Sequence, residues 1–158
     1  MCAVRRRITV LVLVLASVLS AASPVVARTR TDDGAEQRVL RLVNAARAEA
    51  GCRPLRISRQ ISRAARHHAG DLIRSGRYSH TGSDGSTPGG RISRAGYRWH
   101  LAGENVFLGP RDARQAVQGW LRSPEHRANI LNCAYHHTGI AVRGPASHRM
   151  WVQDFAAH

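Results

Sequence analysis

Cys52 and Cys133 stand 81 positions apart, and a bond between them would constrain the fold more than any other feature. Whether they join depends on where the chain works. Arg5-Arg6-Arg7 form a basic start, Ile8 to Ala22 an apolar run, and Val25-Val26-Ala27 a small-residue cleavage site. This pattern predicts a secretory signal peptide over residues 1–27, with the mature start near Arg28. The apolar run is shorter than the ~20 residues that span a bilayer, and Pro24 argues against a continuing helix. No other stretch approaches membrane length, and the paired arginines are compatible with folded export. Cys2 leaves with the signal, so Cys52 and Cys133 remain as an even pair in an exported chain, where a disulfide is the expectation. It would close a loop of about 80 residues, worth roughly 4 kcal/mol in the chain-entropy model. A Cys/His metal site is the weaker alternative, because neither C-x-x-C nor H-E-x-x-H spacing occurs.

The 24 basic residues are all arginine and face only 10 acidic ones. A basic surface can attract nucleic acid, acidic polymers or anionic membrane. Yet these arginines are scattered, with no run of five in the mature part. That points to compositional bias more than a selected stripe. Nucleic acid is therefore not the expected partner, and generic adhesion to anionic cell-wall polymers is the better fit.

Residues 28–35 read as a flexible polar leader, with Asp33 a candidate helix cap, and residues 36–158 as one domain. Val39, Val43, Ala46 and Ala50 recur at helical spacing up to Gly51. Ser58 opens a second helix through Ile61, Ala65, Ala69 and Leu72, closed by Gly76. His67 and His68 lie on it and read as ordinary helix histidines. Residues 79–90 have loop composition, and long loops in compact domains often carry function. Thr87-Pro88 starts a short helix to Ala95, and a strand is expected over 102–108. Asp112 and Ser123-Pro124 each start another helix. Strands over 138–143 and 149–155 finish the chain, with Trp151 and Phe155 on one face. Tyr97 and Trp99, ahead of the 102–108 strand, read equally as surface-packed aromatics and as candidates to line a site. Together these elements predict an α+β fold: a three-layer α-β-α sandwich around a small, mainly antiparallel sheet.

Four short blocks carry the chemistry: Ser79-His80, Asp84-Gly85, Gly103-Glu104-Asn105-Val106 and Ser123-Pro124-Glu125-His126-Arg127. They place imidazoles and carboxylates at the ends of separate elements, so they serve one site only if the fold gathers them. Such a group could hold a divalent metal, move a proton, or form a structural polar network. No nucleophile motif, phosphate loop or dinucleotide fingerprint accompanies them.

With Asn44-Ala-Ala-Arg47, Gly51-Cys-Arg-Pro54-Leu55, Trp120-Leu-Arg-Ser123-Pro124-Glu-His126-Arg127 and Trp151-Val-Gln153-Asp-Phe155, these blocks resemble the CAP superfamily, also called SCP domains. The likeness runs from Glu36 to Phe155 and is to the compact bacterial, secreted type. The resemblance implies the same α-β-α sandwich and a cleft with two histidines and two carboxylates, in some members holding zinc. Position by position, His80, His126 and Glu104 match three of these; the fourth falls near Asp84, where Asp replaces Glu. The implied function is an exported, non-enzymatic, monomeric binding module, secreted or wall-associated, with a zinc-capable cleft and a lipid, sterol or wall-type ligand. The zinc would not be needed for folding. The alternative is a metal-dependent or proteolytic hydrolase using Glu104 with His80 and His126.

Overall fold

The computed structural model describes residues 30–158, with side chains from Gly34 onward. The signal peptide expected over residues 1–27 lies outside the described residues. The first helix, α1 (Arg30–Glu49), begins ahead of the expected Glu36, so part of the stretch read as a leader is helical and Asp33 lies inside the helix. Then follow β1 (Arg56–Ile57), α2 (Arg59–Ser75), α3 (Pro88–Arg94), β2 (Leu101–Leu108), α4 (Ala113–Arg122), α5 (Pro124–Leu131), β3 (His137–Arg143) and β4 (Met150–Ala157). Local chemistry sets most boundaries. Ser58 accepts from the Ile61 amide at the start of α2, and Gly76 ends that helix at φ 65°, a left-handed conformation that suits glycine. Thr87 with Pro88, and Asp112, open α3 and α4 in the same manner.

The strands form one sheet in the order β1-β3-β4-β2, antiparallel except for the short β1–β3 pair. β4 is buried along its whole length, with helices on both faces. Trp151 and Phe155 pack toward α1, α4 and α5, joining Val39, Val43, Val117, Trp120 and Ile130. Met150 and Val152 point the other way, onto Ala65, Ala69 and Leu72 of α2, while Ala156 meets Ile61 and Ile92. Alternation along a strand thus supplies two cores, and the three-layer sandwich is the observed architecture. Helix α2 lies so close to β3 that a side chain at Gly139 would strike the Ile61–Ser62 backbone.

Cys52 and Cys133 are bonded, with Cα atoms 4.9 Å apart. Beside them Arg47 is wholly buried. Its guanidinium donates to the carbonyls of Arg53, Ile130, Asn132 and Tyr135 at 2.7–3.0 Å. The disulfide and this guanidinium together tie the end of α1 to the loop after α5. Among the described residues no helix is long and apolar enough to cross a membrane.

Candidate functional site

Strand β2 distributes the Gly-Glu-Asn block between the two layers. Val106 packs on the α2 side, and Glu104, two residues away, shares that face. Asn105 faces α5, donating to the His126 carbonyl at 3.0 Å and accepting from Asn129 at 2.9 Å. Asn129 also bridges back to the Glu104 carbonyl at 3.1 Å. The strand carrying Glu104 and the helix carrying His126 are therefore locked together by amide side chains.

The Glu104 carboxylate is buried and engaged at both oxygens. Oε1 lies 2.7 Å from His80 Nδ1, and Oε2 accepts from Arg91 Nη2 at 2.6 Å. His68 Nε2, which lies 3.0 Å from the Ser79 carbonyl, is 3.6 Å from Oε1. Burial alone would raise the Glu104 pKa, but His80 first, then Arg91 and His68, pull it below the ordinary carboxylate value. Directly opposite in the β2–β4 register is Asp154, fully buried and beyond reach of any N–H donor. Burial, then the Glu104 charge, push its pKa well above the usual range. Two facing buried carboxyls coexist by sharing a proton: Asp154 keeps it and donates to Glu104.

His80 reaches this cluster from the 79–86 loop. Asp71 of α2 accepts from the Ser83 amide at 2.8 Å and its hydroxyl at 2.6 Å. Arg91 donates to the Ser86 and His80 carbonyls at 2.8 and 3.1 Å. One buried guanidinium thus positions both the loop and the carboxylate. The His80 side chain is 56% exposed, and its hydrogen bond to Glu104 raises its pKa. It is the point where the buried cluster meets solvent.

His126, partly buried on α5, has its pKa lowered by burial and then by the charge of His80. Glu125, exposed in the same turn, acts on both imidazoles and raises both. Asp84 is committed elsewhere: it is exposed, accepts from the Ser86 amide at 2.9 Å and pairs with Arg94 at 2.9 Å. Those bonds, Ser86 first, hold its pKa far below the ordinary value. The structure therefore joins His80 to Glu104 by a hydrogen bond, with His126 and Glu125 near enough for their charges to act on His80 and on each other. Among the described residues no three His, Cys, Asp or Glu side chains are preassembled around one metal position. Sequence reading missed Arg91, His68 and Asp154 as members, and passed over Glu125 although it lies inside the quoted Ser-Pro-Glu-His-Arg block. Trp99 packs on Gly89 and donates to its carbonyl at 3.1 Å.

This layered fold with a buried His/Glu cluster defines a class. Residues 40–155 match the model of the cysteine-rich secretory protein family, CAP, and the chain belongs to that family. It is 31% identical over 120 residues to the uncharacterized protein YkwD of Bacillus subtilis (strain 168), covering 76% of this chain and 46% of that protein. The chain thus spans less than half the length of the curated relatives it matches. Among solved structures, an extracellular protein containing an SCP domain from Bacillus anthracis superposes with TM-score 0.76 at 29% identity, over 80% of this chain and 41% of that one. NaASP2, crystallised with Zn2+, shares the fold at TM-score 0.58 and 15% identity, over 77% of this chain and 78% of that one.

Proposed function

We propose that this is an extracellular binding module whose cleft takes a divalent cation of the zinc type at His80 and His126. The observation that carries the reading is the His80–Glu104 hydrogen bond, made through Nδ1. A metal-binding histidine typically donates its second ring N–H to a carboxylate, which fixes the ring and leaves Nε2 for the metal. His126, with its lowered pKa, supplies a second imidazole in the neutral form a metal requires. Glu125 takes the place in this proposal that Asp84 held in the sequence reading, since Asp84 is bound to Arg94. The donors fit zinc in kind, while water would complete the coordination, so the site is open and of modest affinity. The zinc in the NaASP2 structure supports the same reading.

When bound, the cation would act as a Lewis acid toward a ligand oxygen. Glu104 would hold His80 in place, Arg91 would hold Glu104, and Asp154 would keep the carboxyl pair at a single negative charge. Because both Glu104 oxygens are engaged, the carboxylate is a positioning group and not a free base, which favours binding over hydrolysis. A lipid or an anionic wall polymer is the proposed larger ligand, in keeping with the 21 arginines that stand against 10 acidic residues once residues 1–27 are set aside.

Calorimetric titration of the oxidised protein with Zn2+ tests the reading. One saturable site is expected, weaker as pH falls and absent in His80→Ala/His126→Ala. Binding that survives the double change would send the cleft back to a structural network. A peptide and ester panel run with Glu104→Gln addresses hydrolysis: activity that disappears in that variant would overturn the binding-only view.

A further inference from the structure

Four of the nine histidines stand near one end of the sheet: His100, His136, His137 and His158. Two of them converge on a single phenol. Tyr97 Oη is 2.8 Å from Nδ1 of His137 and 2.8 Å from Nδ1 of His158. The two imidazoles are stacked, 13° from parallel with centroids 5.3 Å apart, and the Tyr97 ring meets each of them edge-on. The three residues come from three segments: the approach to β2, the first residue of β3, and the residue after β4. Backbone bonds hold those segments in place, from the His100 amide to the Ala157 carbonyl at 3.0 Å and from the His136 amide to the Ala156 carbonyl at 3.2 Å.

We propose that Tyr97, His137 and His158 form a second metal site, for a copper(II)-type ion, where the ends of β2, β3 and β4 meet. The phenol has one proton for two nitrogens, so it donates to one Nδ1 and accepts from the other. For a metal to bind, the phenol releases its proton to solvent and the imidazole that donates to it moves its own proton from Nδ1 to Nε2, after which all three lone pairs can turn to one point. With metal–ligand bonds of about 2.0 Å, two donors at a right angle stand about 2.8 Å apart. The observed separations therefore already match Oη lying cis to each nitrogen in a square arrangement. Nitrogen and oxygen donors in tetragonal geometry select Cu(II) or Ni(II), and copper binds more tightly of the two.

The surroundings agree. His137 is only partly buried, so its ring is within reach of an arriving ion. His158 is exposed, which gives an ion a way in and water the remaining coordination position. The site is also separate from the cleft. Asp154, opposite Glu104, and His158 are four residues apart, about 13 Å of strand.

The test titrates Cu2+ into the oxidised, intact His80→Ala/His126→Ala protein, which blanks the cleft, and follows it by electron paramagnetic resonance and visible absorption. One Cu2+ per chain, hyperfine structure from two nitrogens and a phenolate-to-copper charge-transfer band are expected. Tyr97→Phe should remove the band while keeping both nitrogens. His158→Ala, a change at an exposed residue, should weaken binding at least about tenfold. Copper bound without the band, or with an affinity that neither substitution changes, would overturn the proposal by placing the ion on other histidines. The outcome is independent of whether zinc binds the cleft.

Discussion

Among the described residues two arginines are buried, and they are held in opposite ways. Arg47 meets four backbone carbonyls and no carboxylate. Its knot sits beside a disulfide, and nothing in it can change charge near neutral pH. Arg91 meets two carbonyls and the Glu104 carboxylate, and its cluster ends at the half-exposed His80. That second cluster also has polar atoms left over: His68 Nδ1 and Arg91 Nε have no hydrogen-bond partner. A purely architectural network closes on itself, as Arg47's does. One with spare groups, titratable members and a solvent-facing imidazole is built to respond.

The comparison can be broken most directly by deleting each guanidinium. Arg47→Leu leaves four carbonyls without their donors, and each buried unpaired group costs about 1–3 kcal/mol. We expect a loss of about 4 kcal/mol in urea denaturation, unchanged between pH 5 and 8; a loss below about 1 kcal/mol would remove the knot from the account. Arg91→Leu should cost somewhat less, about 3 kcal/mol at neutral pH, because Glu104 can accept a proton once its cationic partner is gone. That loss should shrink as pH falls, and a pH-independent loss would make the cluster as inert as the knot.

His80→Gln sharpens the contrast further. The folded pKa of His80 is raised above its ordinary 6.5. Its contribution to stability is therefore fully present below that value and fades as pH rises through the raised one. The stability gap between wild type and variant should be widest in mild acid and close above neutrality. A gap that widens with rising pH would reverse the assigned shift.

The smallest effect is expected at Asp154→Asn. An amide can donate to Glu104 as the protonated carboxyl does, so the variant should fold with near-normal stability in acid. Wild type alone carries a carboxyl whose pKa is raised in the folded state, which lowers its stability as pH climbs above the unfolded value. The variant should accordingly gain on wild type from about pH 4 upward. A loss that grows with pH would show instead that Asp154 is ionised and needed as a charge.

The fold was largely legible because its signals are local. Caps at Ser58, Thr87 and Asp112, the left-handed Gly76 and the alternation of Trp151 and Phe155 each act within a few residues. The disulfide followed from cysteine count and inferred export. His80, Glu104 and His126 were visible as chemical types in motif blocks. Asp154 was not, because its role depends on the register that sets it opposite Glu104, and register is a non-local property. Arg91 looked like one more arginine among 24; only the fold shows that it is buried. Asp84 illustrates the reverse case. A loop position gives no side-chain direction, and the nearby Arg94 and Ser86 took the carboxylate that the motif alignment had placed in the cleft.

The central claim is that His80 and His126 form an open site behind which Glu104, Arg91 and Asp154 act as support. Histidine-selective nitrogen NMR during Zn2+ addition tests it most directly. The account predicts that the His80 and His126 ring signals move together and saturate at one equivalent, with His80 Nε2 as the metallated nitrogen and Nδ1 still protonated toward Glu104. If both signals stay in place, or if His80 loses the Nδ1 proton to the metal and lets go of Glu104, the support arrangement described here does not serve a metal.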